Sequence, residues 1–431
     1  MNVAVIGTGY VGLPTGVVLA DLGHNVICVD RDQAKVAMLQ SGKSPIYEPG
    51  LEELLKSVLE SGRLTITTDT DSAVRQSEVV FIAVGTPPGA DGTPDISMVV
   101  AVAQEVARSI AKYTIVVNKS TVPIGTGDQV EGILLSAGVS SDLFDVISNP
   151  EFLREGLALA DTQHPDRILI GHENEVAAKK VIDLYEPLSA PFCVTNRHSA
   201  ELIKYASNSF LAMKISFINA ISRLCEACDA NVADVAAGMG MDKRIAPEFL
   251  KAGLGWGGSC FPKDVEGLIR VSEKLGYDFK LLKEVQTINE DQTHNFLRRV
   301  EERIGGFQGK TVGILGLAFK PDTDDIRDAK SLVIIDEVLK KGGQVKAYDR
   351  IAEDNVRAKF PQITYTDDPY DAAAQTDVLL LVTEWREFKA LDMNRVASSM
   401  NQPLLFDGRR LFDKAAMAAA GFEYHTIGES S

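Results

Sequence analysis

No apolar run in this 431-residue chain approaches the roughly 20 residues that a helix needs to cross a bilayer. Positive charge is not in excess either. Lys and Arg number 44 against 60 Asp and Glu, a net −16 at pH 7, which argues against nucleic acid or an anionic membrane surface as a partner. Cysteine is scarce and odd in number: Cys28, Cys193, Cys225, Cys228 and Cys260. No signal peptide is visible, because a strand-like run starts at residue 3, so the expectation is a cytoplasmic protein with reduced thiols. The six histidines show no metal-ligand spacing. Cys225 and Cys228 form a lone Cys-x-x-Cys in a helical pattern with no second pair, which speaks against zinc or a redox site, and no metal is expected. What remains is a chain with 45% hydrophobic residues, long enough for two or three domains.

The N-terminus carries the first positive signal. Val3 to Ile6 is a short apolar run, as in a buried parallel strand, and Gly7, Gly9 and Gly12 follow in G-x-G-x-x-G spacing. A helical pattern through Leu13, Val17, Val18 and Leu19 comes next, then a second apolar run, Val26 to Val29, ending at Asp30. Strand, turn, helix, strand and acid in that order is the context in which this spacing binds a dinucleotide. The glycines allow the tight turn, the approach of the pyrophosphate and close packing of helix on strand, and the helix N-terminus offers N–H groups to phosphate. Asp30 would accept from both ribose hydroxyls and repel a 2′-phosphate, which favours NAD over NADP; Arg31 and Lys35 nearby leave the alternative open.

Three parts follow from the pattern. Residues 1–195 alternate strand and helix, with Val79 to Val84 and Ile115 to Asn118 as further strands leading into the loops GTPPGADGTP and KSTVPIG. Ligands of doubly wound sheets lie outside the carboxyl ends of strands, so these loops are expected to line a site. Residues 196–295 are helical in pattern, with one long helix expected from His198 to Ala230. Residues 296–431 open a second αβ domain, in which KTVGILGL (Lys310 to Leu317) and VKAYD (Val345 to Asp349) repeat the first strand, turn and acid without the full fingerprint. The expected fold is α/β: two Rossmann-like doubly wound domains joined by a central helical domain.

The local string GWGGSCFPKD, Gly255 to Asp264, reads either as a buried free cysteine in a glycine turn or as a nucleophile. Cys260 follows paired glycines, Gly257 and Gly258, which would let a substrate approach the backbone, and precedes Lys263 and Asp264, a charge and a base able to favour a thiolate. A cysteine nucleophile beside a dinucleotide site has a chemical logic. Hydride removal from a primary alcohol gives an aldehyde. A thiolate adds to it, and the thiohemiacetal gives up a second hydride. The thioester is then hydrolysed to a carboxylate, so one site performs a four-electron oxidation. Two other classes stay open: a non-enzymatic NAD sensor, which needs no Cys260, and a single-step dehydrogenase using a lysine and no cysteine. Lys204 and Asn208 are four apart and share a helical face among Leu202, Ile203 and Phe210; spacing alone leaves a solvated face and a catalytic pair both open.

The ordered strings GTGYVGLPTG, SPIYEPGL, FIAVGTPP, NKSTVPIGT, SNPEFLREG, HPDRILIG, AELIKYASNSFLA, GMDKRI, GWGGSCFPKD, GLAFKPDTDDIR, TEWREF and FDGRRL span essentially the whole chain. In them the sequence resembles the UDP-glucose/GDP-mannose dehydrogenase family, the nucleotide-sugar dehydrogenases. Members acting on UDP-N-acetylmannosamine usually have a histidine directly before the cysteine and no Lys–Asp pair after it; here Ser259 precedes Cys260 and Lys263–Asp264 follow. Phe261 and TEWREF favour the UDP-glucose branch over GDP-mannose.

The resemblance implies roles residue by residue. Cys260 is the nucleophile and Asp264 deprotonates the thiol or the hydrolytic water. Lys204 stabilises a developing alkoxide or assists proton removal, Asn208 holds sugar or water, Glu151 shuttles protons and Thr121 helps position a water. The cofactor, NAD, would be held by Gly7, Gly9, Tyr10, Val11, Gly12, Asp30, Lys35, Thr86, Thr121, Glu155, Lys263 and Arg327. UDP-glucose would be held by Glu151, Phe152, Leu153, Lys204, Asn208, Phe249, Leu250, Lys251, Gly255, Gly257, Cys260, Phe319, Lys320 and Arg409. Trp256 would add an apolar wall, and Arg244 would reach in across the interface of at least a dimer.

Overall fold

The structure, a computed structural model, describes residues 1–430. The chain divides into two compact units, Met1–Ser207 with Glu266–Leu275, and Asn208–Val265 with Gly276–Ser431.

The first unit is built on one sheet: β1 (Asn2–Ile6), β2 (Asn25–Val29), β3 (Leu64–Thr67), β4 (Val79–Ile82), β5 (Thr114–Asn118), β6 (Phe144–Ser148), β7 (Ile168–Gly171) and β8 (Phe192–Thr195). Its strand order is β3-β2-β1-β4-β5-β6-β7-β8, parallel except where β6 meets β7. The order reverses beside β1, so a crevice opens between the loops that follow β1 and β4. β4 and β5 are buried throughout, as the unbroken apolar runs foretell for strands covered on both faces. The helix Gly12–Asp21 is buried from Gly12 to Ala20 because it is apolar all round and sits in the core with Leu13, Val17 and Leu19 packed against β1 and β2.

The second unit repeats the scheme with β9 (Thr311–Leu315), β10 (Gln344–Tyr348), β11 (Thr364–Tyr365), β12 (Val378–Leu381), β13 (Leu404–Asp407) and β14 (Glu423–Thr426), in the order β11-β10-β9-β12-β13-β14. All its paired strands are parallel. Both sheets thus show the doubly wound topology expected from the sequence.

The central region is helical, with Arg197–Cys228, Val232–Gly240, Phe261–Lys274 and Lys280–Ile304 and no strand among the described residues from 196 to 310. The long helix runs two residues shorter at its C-terminal end than the expected His198 to Ala230. Asp229 adopts a left-handed φ of 60°, which ends it. Compactness assigns this region to both units, with two boundaries inside the helices Arg197–Cys228 and Phe261–Lys274 and a third just after the second of them. Among the described residues no helix is long and apolar enough to cross a membrane.

Candidate active site

In the first unit the glycine turn does what its spacing predicts. A Cβ at Gly12 would stand 1.9 Å from the Gly7 carbonyl oxygen, whereas at Gly9 nothing lies within 4 Å. The turn is therefore closed on the helix side and open where a pyrophosphate would approach. Asp30, at the end of β2, accepts from the Thr8 hydroxyl at 2.6 Å and from Lys35 Nζ at 2.8 Å on one oxygen, and from the Asp32 N–H at 3.1 Å on the other. Burial pushes its carboxyl up, but the bonds from Lys35 and Thr8 outweigh that and hold it at about 2. Asp30 is thus an anion at any working pH, with acceptor capacity left on its second oxygen. These residues fit a dinucleotide whose ribose carries free hydroxyls.

The degenerate second copy differs at the matching acid. Asp349 is buried, and its Oδ2 accepts from the Leu317 and Ala318 N–H groups and from Trp385 Nε1 at 3.0 Å. Its Oδ1 accepts from the Ile351 and Ala352 N–H groups at 3.0 and 2.9 Å. The acid that matches Asp30 is thus spent, on both oxygens, on the second unit's own turn.

The loops after β4, β5 and β6 converge. Thr86 donates to the Thr121 carbonyl at 2.8 Å, and Ser120 donates to the Val84 carbonyl at 2.6 Å. Glu151 and Lys204 form a buried ion pair at 3.1 Å with side chains 7% and 3% exposed, so the solvated-face reading of Lys204 falls away. Lys204 Nζ lies 5.2 Å from the Phe152 ring centroid, and the Arg167 guanidinium lies 3.8 Å from the same ring. The segment that carries Glu151 and Glu155 is tied down beyond them by Glu48, a buried carboxylate that accepts from the Gly156 and Ala158 N–H groups at 2.5 and 2.9 Å. Glu201, one turn before Lys204, accepts from the Gly125 and Gly127 N–H groups at 2.6 and 2.8 Å, tying the loop of Thr121 to the Lys204 helix.

In the second unit Cys260 stands just before the helix Phe261–Lys274, and its carbonyl accepts from the Asp264 N–H at 2.9 Å, the first helical bond. Asp264 is fully buried, and Asn208 Nδ2 donates to its Oδ2 at 2.6 Å while Lys263 Nζ pairs with Oδ1. Cys260 is half-buried, with the Ser259 hydroxyl 3.5 Å from Sγ.

The reading of Gly257 and Gly258 as room for a substrate is corrected here. A Cβ at Gly257 would stand 2.2 Å from the Asp328 carbonyl oxygen, and one at Gly258 would stand 2.6 Å from the Phe319 ring. The missing side chains admit the loop that follows β9, and the Gly258 N–H donates to the Arg327 carbonyl at 2.9 Å. The cysteine loop is thereby docked on the segment that carries Phe319, Lys320 and Arg327. Arg327 is half-exposed and forks onto Asp325. Arg409 donates to the Val382 and Phe319 carbonyls at 2.6 and 3.3 Å, beside Gly253. Lys251 lies 3.8 Å from Glu384. Phe249 and Trp256 each pack against Phe261 with ring centroids 6.3 Å apart, and Phe249 holds a left-handed φ of 63°, rare for an aromatic residue. Arg244 is 89% exposed and pairs with Asp242.

Several positioning groups were not singled out from the sequence. Asn289 clamps the Trp256 backbone from both sides at 2.7 and 3.0 Å, while Gln292 and Thr293 hold the Gly253 and Leu254 carbonyls at 3.0 and 2.8 Å. Their i, i+3, i+4 spacing marks them as polar groups on a buried helix face, a signal legible only once that face is known. Lys119 and Lys330 are buried lysines, each driven down to about 8 chiefly by burial.

Family models cover three stretches: the NAD binding domain of the UDP-glucose/GDP-mannose dehydrogenase family at 1–189, its central domain at 198–291 and its UDP binding domain at 313–414. The chain is 46% identical over 428 residues to a UDP-glucose 6-dehydrogenase of Bacillus subtilis, covering 99% of this chain and 93% of that protein. It is likewise 46% identical to a UDP-glucose 6-dehydrogenase of Rhizobium meliloti, covering 99% of both. Its structure is similar to that of a UDP-glucose dehydrogenase from the archaeon Pyrobaculum islandicum, with a TM-score of 0.93 and 39% identity over 100% of this chain and 98% of that one.

Proposed function

Since the chain belongs to the UDP-glucose/GDP-mannose dehydrogenase family, we propose that it oxidises UDP-glucose to UDP-glucuronate in two successive two-electron steps through Cys260, consuming one water. The observation that carries this reading is a buried Asp264 one helical turn after Cys260, its carboxylate held by Asn208 and Lys263. The family's NAD binding domain supports an NAD-type cofactor. Its proposed seat in the first unit is Gly7, Gly9, Tyr10, Val11, Gly12, Asp30, Lys35, Thr86, Thr121 and Glu155; the family resemblance adds Lys263 and Arg327. When bound, NAD supplies the hydride acceptor.

The chain's own groups do the rest. Lys204 stabilises negative charge on the substrate's 6-oxygen as its proton passes to Glu151 and C6 gives up the first hydride, which leaves an aldehyde. Asp264 takes the thiol proton, and the positive end of the helix that Cys260 precedes favours the anionic sulphur. The C–S bond forms as the aldehyde oxygen becomes an alkoxide. Loss of the second hydride from that carbon restores C=O as a thioester. Water, positioned by Thr121 and Asn208, adds to it, a carboxylate takes its proton, the C–S bond breaks and the thiolate is regenerated. Lys320 and Arg409 take the diphosphate, with Phe249, Leu250, Lys251, Gly255 and Phe319 around the nucleotide and Phe152 and Leu153 beside the sugar. The functional division proposed is 1–195 for the cofactor, 196–295 for assembly and 296–431 for UDP.

The test is a panel of nucleotide sugars with purified protein, counting NADH per sugar. UDP-glucose is expected to give two; one NADH would point to a single-step dehydrogenase and none to a sensor. In the same assay NAD is expected to exceed NADP in kcat/KM by at least about a hundredfold, the scale of a few kcal/mol of like-charge repulsion at Asp30. Equal efficiency would remove Asp30 as the discriminator.

Assembly is proposed as at least a dimer. Phe210, Phe217 and Leu224 recur every seventh residue of the long helix and are 58%, 49% and 63% exposed. With Leu281 and the Arg244 stem, Phe210 and Phe217 line an apolar groove. Such a stripe is what a helical interface buries. Sedimentation equilibrium is expected to give a dimer or larger, and Phe217→Asp is expected to shift it to monomer. An active monomer at assay concentration would refute the assembly.

A further inference from the structure

Lys119 is buried in the first unit and has no part in the chemistry above. It directly follows β5, and Asn149 directly follows the neighbouring strand β6. Lys119 Nζ donates to Asn149 Oδ1 at 3.0 Å, and the Tyr185 hydroxyl donates to the same oxygen at 2.8 Å. Lys119 Nζ also lies 3.4 Å from that hydroxyl. Asn149 Nδ2 donates to the Leu169 carbonyl at 2.7 Å, and the Asn149 N–H donates to the Asn118 carbonyl at 2.9 Å. The carboxyl ends of β5 and β6 are therefore clasped to each other and to β7 through one asparagine. Thr121 comes two residues after Lys119, and Glu151 comes two residues after Asn149.

A lysine is a costly group with which to build a purely mechanical clasp, because burying its charge is unfavourable and a neutral donor would serve. The charges that act on Lys119 explain its use. Glu151 favours its protonated form, and Lys204 opposes it. Tyr185, the other titratable group against it, is pushed up by burial and stays a neutral hydroxyl. Lys119, Glu151 and Lys204 thus form one coupled charge system.

We propose that Lys119 is a positioning residue of the dehydrogenase site: it fixes the segments that carry Thr121 and Glu151, and its ammonium balances Glu151 so that Lys204 is not the only counter-charge. The inference rests on the proposed dehydrogenase reading for what Thr121 and Glu151 do, and on the hydrogen bonds for the clasp itself.

Burial lowers the pKa of Lys119 from 10.5 to about 8. Below pH 8 folded and unfolded chains both hold the proton, and the folded state bears the burial cost. Between the two values the unfolded chain holds more protons, so stability rises with pH. Wild type and Lys119→Met share every other group, so the difference between their melting curves isolates this lysine.

The experiment compares full-length wild type, Lys119→Met and Lys119→Arg. Lys119→Met is expected to lower kcat by about tenfold or more while KM for NAD stays within about twofold. Lys119→Arg is expected to recover most of that loss and to move the alkaline limb of kcat to higher pH, since a guanidinium does not titrate there. The wild-type midpoint, relative to Lys119→Met, is expected to rise as pH passes upward through about 8. An unchanged kcat in Lys119→Met, or a loss that Arg does not recover with the alkaline limb in place, overturns the role. Should Lys119→Met not fold, the Lys119→Arg profile alone decides. Absence of NADH from UDP-glucose in wild type defeats the dehydrogenase reading and the role with it; the pH dependence of the midpoints still decides the clasp, and identical dependence in wild type and Met removes that too.

Discussion

Cys260→Ala is expected to lower UDP-glucuronate formation by at least about 10³-fold, the scale on which loss of a covalent nucleophile is felt. Folding is expected to survive. Cys260 is half-buried and lies outside the hydrophobic core clusters, so removing its sulphur costs on the order of 1 kcal/mol. Binding is expected to survive as well, since neither the glycine turn of Gly7 to Gly12 nor the cations Lys320 and Arg409 are touched. The deficit falls on the second oxidation, which needs a tetrahedral carbon bearing sulphur. Cys260→Ser keeps an oxygen nucleophile and is expected to accumulate an ester that hydrolyses slowly. Intact-protein mass spectrometry after mixing with UDP-glucose and NAD reads the adduct, and NADH per sugar reads the step. Cys260→Ala that still yields two NADH per sugar at near wild-type rate would leave Cys260 a packing residue.

Lys204→Ala is expected to slow turnover by about 10²–10³-fold, the loss that follows removal of one charge-stabilising group at a reacting oxygen. It is also expected to destabilise the protein, because Glu151 would be left as a buried carboxylate without its partner at 3.1 Å. Breaking such a pair from one side costs about 3–5 kcal/mol. The two effects separate in the double variant Lys204→Met with Glu151→Gln, which removes both charges. Its melting temperature is expected to return toward wild type while its activity stays lost. Recovery of activity along with stability would mean that Lys204 supports the fold and not the reaction.

How far the sequence foretells these residues depends on whether their signal is local. The fingerprint at Gly7 to Asp30 is legible because strand, turn, helix and acid lie in one short stretch and each glycine has a separate steric reason. The pairing of Asp264 with Cys260 is legible for the same reason. Glu48, Glu201 and Asn289 are not, since each acts on a backbone N–H or carbonyl at least 33 residues away. A carboxylate or amide with a distant partner reads in sequence as a surface residue. Gly257 and Gly258 were misread for a related reason. A glycine announces that something comes close, but not whether it is a ligand or the protein itself, and here it is the Asp328 carbonyl and the Phe319 ring. The unit boundaries within the helices Arg197–Cys228 and Phe261–Lys274 carry no composition change that would reveal them.

Asp349 bears on the order of events in a two-step oxidation. It accepts five bonds, from Leu317, Ala318, Ile351, Ala352 and Trp385, so this acid is not available to a ribose as Asp30 is. Among the described residues only the first sheet presents a complete dinucleotide seat. In the proposed two-step oxidation, one seat used twice per sugar has to be vacated and refilled midway. A free aldehyde would have that whole interval in which to escape. In the proposed reaction a covalent tether at Cys260 would hold the sugar through that exchange, giving the sulphur a use as an anchor as well as an activator of the next step.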